Sequence, residues 1–281
     1  MKKTYLILLF NFLFISAYAQ VEAPQPSPKG TLAQVVGLTT VSVDYSRPSA
    51  RGRKIMGGLV RYGDLWRTGA NLNTTVSFSD DVNVGGKDLP AGKYGLYSRP
   101  QADQWEIYFY KKNNIGGIPK DWEEDQVALT IAVPAQYFQP MVETFTILFS
   151  DLNSNGALLN LIWEHTLVSI PIEVPTRSKT LASIQKTLSA SPKAGDYFQA
   201  AVYYLQEKMD LETAQVWMEK ALEMNPSPAY WMYRQYALIL NERNNKEGAL
   251  KAAKRSLELA EKAGNKDYVI MNRASISEWS Q

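Results

Sequence analysis

The chain contains no cysteine and a single histidine, His165, among 281 residues. Without cysteine there is no disulfide, no thiolate nucleophile and no cysteine-held metal. With one histidine the chain can build neither a multi-histidine metal site nor a histidine relay. Net charge is missing too: 30 basic residues face 28 acidic ones, and the balance is even once Lys2 and Lys3 are set aside. A neutral chain has no broad field to draw nucleic acid or an anionic membrane, so nucleic-acid binding is discarded as a main role. The glycine-rich stretches match neither a P-loop nor a dinucleotide fingerprint, and no cofactor is called for. No apolar run is long enough to cross a bilayer, which takes about twenty residues.

The longest such run, Tyr5 to Ile15, is broken only by Asn11. It follows Lys2 and Lys3 and precedes Ala17-Tyr18-Ala19, the layout of a secretory signal peptide with a small-x-small cleavage site. Residues 1–19 are therefore expected to be removed. That leaves a mature chain from Gln20 without a transmembrane segment, periplasmic or extracellular; a retained N-terminal anchor is the competing reading. Export without disulfides leaves stability to core burial, for which about 260 residues suffice, enough for two domains.

Residues 20–29, rich in proline, read as an extended lead-in. From residue 30 to 175 the patterning has the period of strands. Thr40 to Tyr45 and Thr75 to Phe78 alternate, Gly85-Gly86 and Leu89-Pro90-Ala91-Gly92 supply turns, and later runs complete nine or ten short strands. Turns at this spacing predict an antiparallel β-sandwich, with 121–126 as a charged irregular loop.

Residues 176–281 change to helical periodicity. Residues 198–223 align with 233–258 at an offset of 35, pairing Phe198 with Tyr233, Leu205 with Leu240 and Ala214 with Ala249. Small residues at Ala214 and Ala249 let paired helices approach closely. The pattern over 195–263 resembles the tetratricopeptide repeat, whose period is about 34 residues; an unrelated helical bundle is the alternative. The first helices of such hairpins would line a groove with Tyr203, Gln206, Trp231, Arg234, Leu238 and Asn241, suited to a peptide or protein partner.

The unusual stretch is 45–71, YSRPSARGRKIMGGLVRYGDLWRTGAN. Within it six basic residues lie between Arg47 and Arg67, against Asp64 alone. Guanidinium groups grip carboxylates or phosphates through paired hydrogen bonds. Arg47, Trp66, Arg67 and Asn71 are the candidate ligand-binding residues, for an anionic ligand or a sugar. The competing reading pairs the arginines with acids of the same half and puts Trp66 in the core.

The segments SPK (27–29), YSRPS (45–49), RGRKIMGGLVRYGDLWRTGAN (51–71) and LPAGKYGLY (89–97) resemble the exported bacterial family called domain of unknown function 2911. The resemblance spans about residues 25–175, and helical repeats often follow in that family. Its usual pattern has Lys, Phe and Pro where this chain has Arg51, Met56 and Arg61. It implies fold and export but no activity.

Asp151-Leu-Asn153-Ser-Asn155-Gly156 matches half of a calcium loop, but the twelfth position is Ile162 rather than glutamate, so a turn is expected and no metal. No nucleophile elbow accompanies His165. The reading is a two-domain β then α protein of the cell envelope, a non-enzymatic ligand-binding or protein-interaction module. A hydrolase of envelope carbohydrate or peptide, with Arg67 and Asn71 stabilising developing charge, is the alternative. Intact-mass analysis of the exported protein is expected to find cleavage after Ala19; a retained Met1 on a membrane-bound form contradicts it.

Overall fold

The computed structural model describes residues 23–281, so the signal-peptide reading of residues 1–19 and the start at Gln20 lie outside the described residues. The chain divides between Val174 and Pro175 into two compact units.

The described residues of the first unit form nine strands: β1 (Lys29–Val36), β2 (Thr39–Ser46), β3 (Thr74–Phe78), β4 (Val82–Val84), β5 (Lys87–Leu89), β6 (Gly92–Pro100), β7 (Gln104–Tyr110), β8 (Val127–Ser150) and β9 (Gly156–Glu173). They form one antiparallel sheet in the order β1-β2-β3-β6-β7-β8-β9-β4-β5. β1 starts at the last residue of the lead-in and runs into the β-patterned region, where its pattern is weak because on that terminal strand residues are alternately exposed and half-covered. Two apolar runs that the sequence presents as separate strands, Val127 to Val133 and Phe145 to Phe149, are the two ends of one 24-residue strand. Its first part pairs with β7 up to Pro134, and from Ala135 it pairs with β9. Two register irregularities, between Tyr137 and Val142 and between Val142 and Thr146, carry it past its exposed middle. That stretch has little burial contrast, so its polarity reads as a break.

Alternation sets the core. Val41, Val43 and Tyr45 of β2, Val76 and Phe78 of β3, Leu96 of β6 and Phe109 of β7 are buried in one cluster with Phe145 and Ile147 of β8 and Trp163 of β9. Tyr45 donates its hydroxyl to the Ile147 carbonyl and accepts from the Ile147 amide, stitching β2 to β8 across that core.

The second unit is six helices: α1 (Thr176–Leu188), α2 (Ala194–Gln206), α3 (Leu211–Met224), α4 (Tyr230–Glu242), α5 (Lys246–Lys262) and α6 (Lys266–Trp279). Asp210, Asn245 and Asn265 cap α3, α5 and α6 by accepting amides of the first turn. Ala201, Ala214 and Met218 pack with Ile239 in one cluster, while Ala237, Leu240, Ala249 and Ala253 pack with Trp279 in another. Ser256 of α5 donates to the Tyr230 carbonyl and accepts from Asn272 of α6, tying three helices through polar contacts. No described helix is long and apolar enough to cross a membrane.

Ala249 is completely buried. Ala249→Leu should overpack the helical unit and cost about 1–3 kcal/mol in urea unfolding, whereas Lys251→Leu, two residues along and exposed, should stay within about 0.5 kcal/mol.

Candidate functional site

Because strand residues alternate, the sheet that buries Val43, Val76, Leu96 and Phe109 must present their neighbours on its other face. Register aligns them: Asp44 opposes Thr75, Thr75 opposes Gly95, and Gly95 opposes Tyr110. On this face lies a pocket of about 440 Å³ lined by Lys29, Asp44, Thr75 and Lys93, with Asn71, Asn73 and Asn113 among its other lining residues. Gly95 is required for close approach: a methyl group there would lie 2.7 Å from Asn73 Nδ2 and 3.1 Å from the Lys112 carbonyl.

Asp44 sits between two ammonium groups, 3.8 Å from Lys29 Nζ and 3.4 Å from Lys93 Nζ. Thr31 Oγ1 donates to it at 2.7 Å. The Thr31 hydrogen bond first, then the two lysines, hold its carboxyl below the usual carboxylate range against the opposing effect of burial. The amides are anchored through their donors. Asn71 Nδ2 reaches the Ser27 carbonyl at 3.1 Å, and Asn113 Nδ2 the Lys93 carbonyl at 2.7 Å. Asn73 Oδ1 accepts from the Ile115 amide. Asn71 takes a left-handed backbone, φ 58°, which asparagine tolerates better than most residues.

The four candidate residues of the arginine-rich segment go to different places. Asn71 lines the pocket. Arg47 borders the pocket without lining it: its amide binds the Pro28 carbonyl, but its guanidinium donates to the Phe145 carbonyl and Thr146 Oγ1. Trp66 is 8% exposed, with its ring 5.3 Å from Phe145 and 5.9 Å from both Trp105 and Trp163. Its indole faces are thus filled by core rings, not left for a ligand, because the segment needs an apolar anchor. Arg67 is half-buried, and its Nε has no partner among the described residues.

The neighbouring arginines mostly bind main chain rather than acids. Arg53 donates to the Ser49 and Ala50 carbonyls, and Arg51 to the Pro26 carbonyl. Arg61 and Asp64 form a 4.0 Å pair exposed to solvent. The acids Glu143 and Glu164 instead accept backbone amides, from Arg51 and from Ile55 and Met56 respectively.

Next to the pocket on the same face lie Tyr97, Tyr108 and Tyr110, buried with Trp122 against them. Burial pushes the Tyr97 phenol up to about 12, with Tyr110 adding to the shift. Sequence reasoning missed Lys29, Asp44, Lys93 and this cluster. The available signal was Ile107-Tyr108-Phe109-Tyr110, an unbroken apolar run that tells of a strand covered on both faces.

In the helical unit the groove candidates are divided. Tyr203 and Gln206 line a pocket of about 350 Å³ with Thr180 and Ser183 of α1. Arg234 donates to Ser275 Oγ of α6 at 2.9 Å and lies over the Trp279 ring, and burial lowers its pKa. Leu238 packs on the cluster that holds Trp279. Trp231 is exposed, with its ring edge-on to Tyr230, and Asn241 is half-buried. Asp151 to Gly156 form the turn between β8 and β9, closed by the Asn153 amide on the Gly156 carbonyl. His165 Nδ1 lies 3.0 Å from the Phe138 carbonyl and its ring stacks on Tyr137.

A family model described as "Protein of unknown function (DUF2911)" matches residues 27–172, and the chain belongs to that family. No curated protein and no solved structure matches it.

The lowered pKa of Asp44 has a signed consequence. Its contribution to stability is present above the ordinary carboxylate value and is lost as pH falls through the lowered one. Asp44→Asn should therefore destabilise the protein near neutral pH by no more than about 1 kcal/mol, the range of exposed pairs. Thermal unfolding should show that gap to wild type closing as the pH falls below the ordinary carboxylate value of about 3.9.

Proposed function

We propose that this family member is an exported binding protein of the cell envelope, and that its sheet pocket takes a sugar or small polyol bearing an anionic group. One observation carries the reading. The four segments that carry the family's pattern, 27–29, 45–49, 51–71 and 89–97, each supply a lining residue to the same pocket: Lys29, Ser46, Asn71 and Lys93. Two ammonium groups against one carboxylate leave a net positive charge for a carboxylate or phosphate. The amide oxygens of Asn71 and Asn113, without protein donors among the described residues, can accept from sugar hydroxyls.

The hydrolase alternative draws less support from the same lining. Glycoside hydrolysis ordinarily uses two carboxylates, one of them protonated. The lining supplies one, Asp44, kept ionised by Thr31 and the lysines.

The first unit reads as a β-sandwich. Support comes from β8 changing partners midway and from Tyr45 reaching across the core to Ile147. The helices read as two tetratricopeptide-like hairpins, α2 with α3 and α4 with α5. The equivalent alanines Ala214 and Ala249 are both buried, in keeping with that repeat. Their exposed Trp231 and the pocket at Tyr203 are where a peptide partner would be held.

The test is a thermal-shift comparison of galacturonate, glucuronate, galactose and inorganic phosphate. The acidic sugars should raise the melting temperature, a ligand at 100 times its dissociation constant adding about 2.7 kcal/mol. Lys93→Ala and Asn71→Ala should each remove that shift. If no compound moves the wild type, or the shifts survive both substitutions, the pocket is not a ligand site.

A further inference from the structure

Beside the pocket, two residues along β6 from Gly95, or about 7 Å, the same sheet face becomes aromatic. The Trp122 ring lies 4.5 Å from Tyr110 and nearly parallel to it, and meets Tyr97 and Tyr108 edge-on at 5.5 and 5.6 Å. Trp122 belongs to the connection between β7 and β8, which also supplies Asn113 and Asn114 to the pocket. Ile115 of that connection is held by Asn73, through its amide on Asn73 Oδ1 and its carbonyl on the Asn73 amide. One segment thus walls the pocket and covers the tyrosines.

Among these rings the Tyr97 side chain is completely buried, yet its hydroxyl has no partner among the described residues, and neither has Arg67 Nε. Register brings the two residues together. Trp66 and Ser98 exchange both backbone hydrogen bonds, so Arg67 falls opposite Tyr97. In an antiparallel ladder that is the non-hydrogen-bonded kind of pair, in which side chains come closest. A phenol held protonated by burial and a guanidinium nitrogen are both donors, so the group that suits them carries an oxygen acceptor. The face of Tyr110, now under the Trp122 indole, suits a flat or ring-shaped body.

We infer that this aromatic face is a second subsite continuous with the pocket, occupied by Trp122, and that the ligand is an acidic oligosaccharide whose second unit displaces that indole. The unit would stack on Tyr110 and set an oxygen against Tyr97 and Arg67. This inference rests on the pocket being a sugar site, and it adds the ligand's length.

Calorimetric titration of the full chain with galacturonic acid and its dimer and trimer tests it, with tryptophan emission recorded alongside. The trimer should bind about tenfold more tightly than the monomer, with an emission change absent from Trp122→Phe. Tyr97→Phe, which removes only a hydroxyl, should bring the trimer's affinity toward the monomer's while leaving monomer binding intact. Trp122→Ala should tighten the trimer alone; far-UV circular dichroism and unchanged monomer affinity establish that the variants are folded. Equal affinity at every length, or a Tyr97→Phe effect equal for monomer and trimer, overturns the second subsite and leaves the pocket reading standing. Binding at no length overturns both.

Discussion

The alternation of side chains across β2, β3, β6 and β7 governs the first unit. A shift of one residue in any of these strands would exchange the two faces, putting Asp44, Thr75 and Lys93 into the core and Val43, Val76 and Tyr94 into solvent. Burial of the apolar set therefore fixes the position of the polar set. The strand floor of the pocket is held in place as the reverse side of a packed core. Asp44, Thr75 and Lys93 are each held by the burial of a sequence neighbour.

The long connection between β2 and β3 obeys a second constraint. It has little periodic structure, so its backbone amides and carbonyls need partners from outside a ladder. Side chains supply many of them: Glu164 accepts the amides of Ile55 and Met56, Glu143 that of Arg51, and Arg53 donates to two carbonyls. Trp66 then pins the segment by entering the core, while its own amide and carbonyl pair with Ser98. The concentrated positive charge at Arg51 and Arg53 is accordingly a means of tying main chain.

The helical unit is held differently. Alanines at the helix contacts allow close approach, and side-chain caps at Asp210, Asn245 and Asn265 satisfy amides at the helix starts. Arg234, which could have faced an open groove, is spent between Ser275 and Trp279 on α6. The sixth helix thus shields part of the surface that the repeat pattern alone leaves open.

Much of the architecture was legible in the residues. Alternation in Thr40 to Tyr45 and in Thr75 to Phe78, the turn at Gly85-Gly86, the change of period after Pro175 and the small residues at Ala214 and Ala249 are local signals. Local sequence determines such features because each depends on which face of its own strand or helix a side chain occupies. The continuity of β8 was not legible, since its exposed middle has no burial contrast, and neither was the pairing that makes β1 a strand. The site was half legible. The stretch 45–71, which supplies Asn71, was recognisable as unusual, yet which residues meet it in the pocket was decided by register between strands far apart in sequence. Trp66 and Asn71 stand five positions apart in one chain segment, and tertiary packing sends one into the core and the other to the opposite face of the sheet. That choice follows from apolar burial summed over the whole unit, a quantity that no single segment contains.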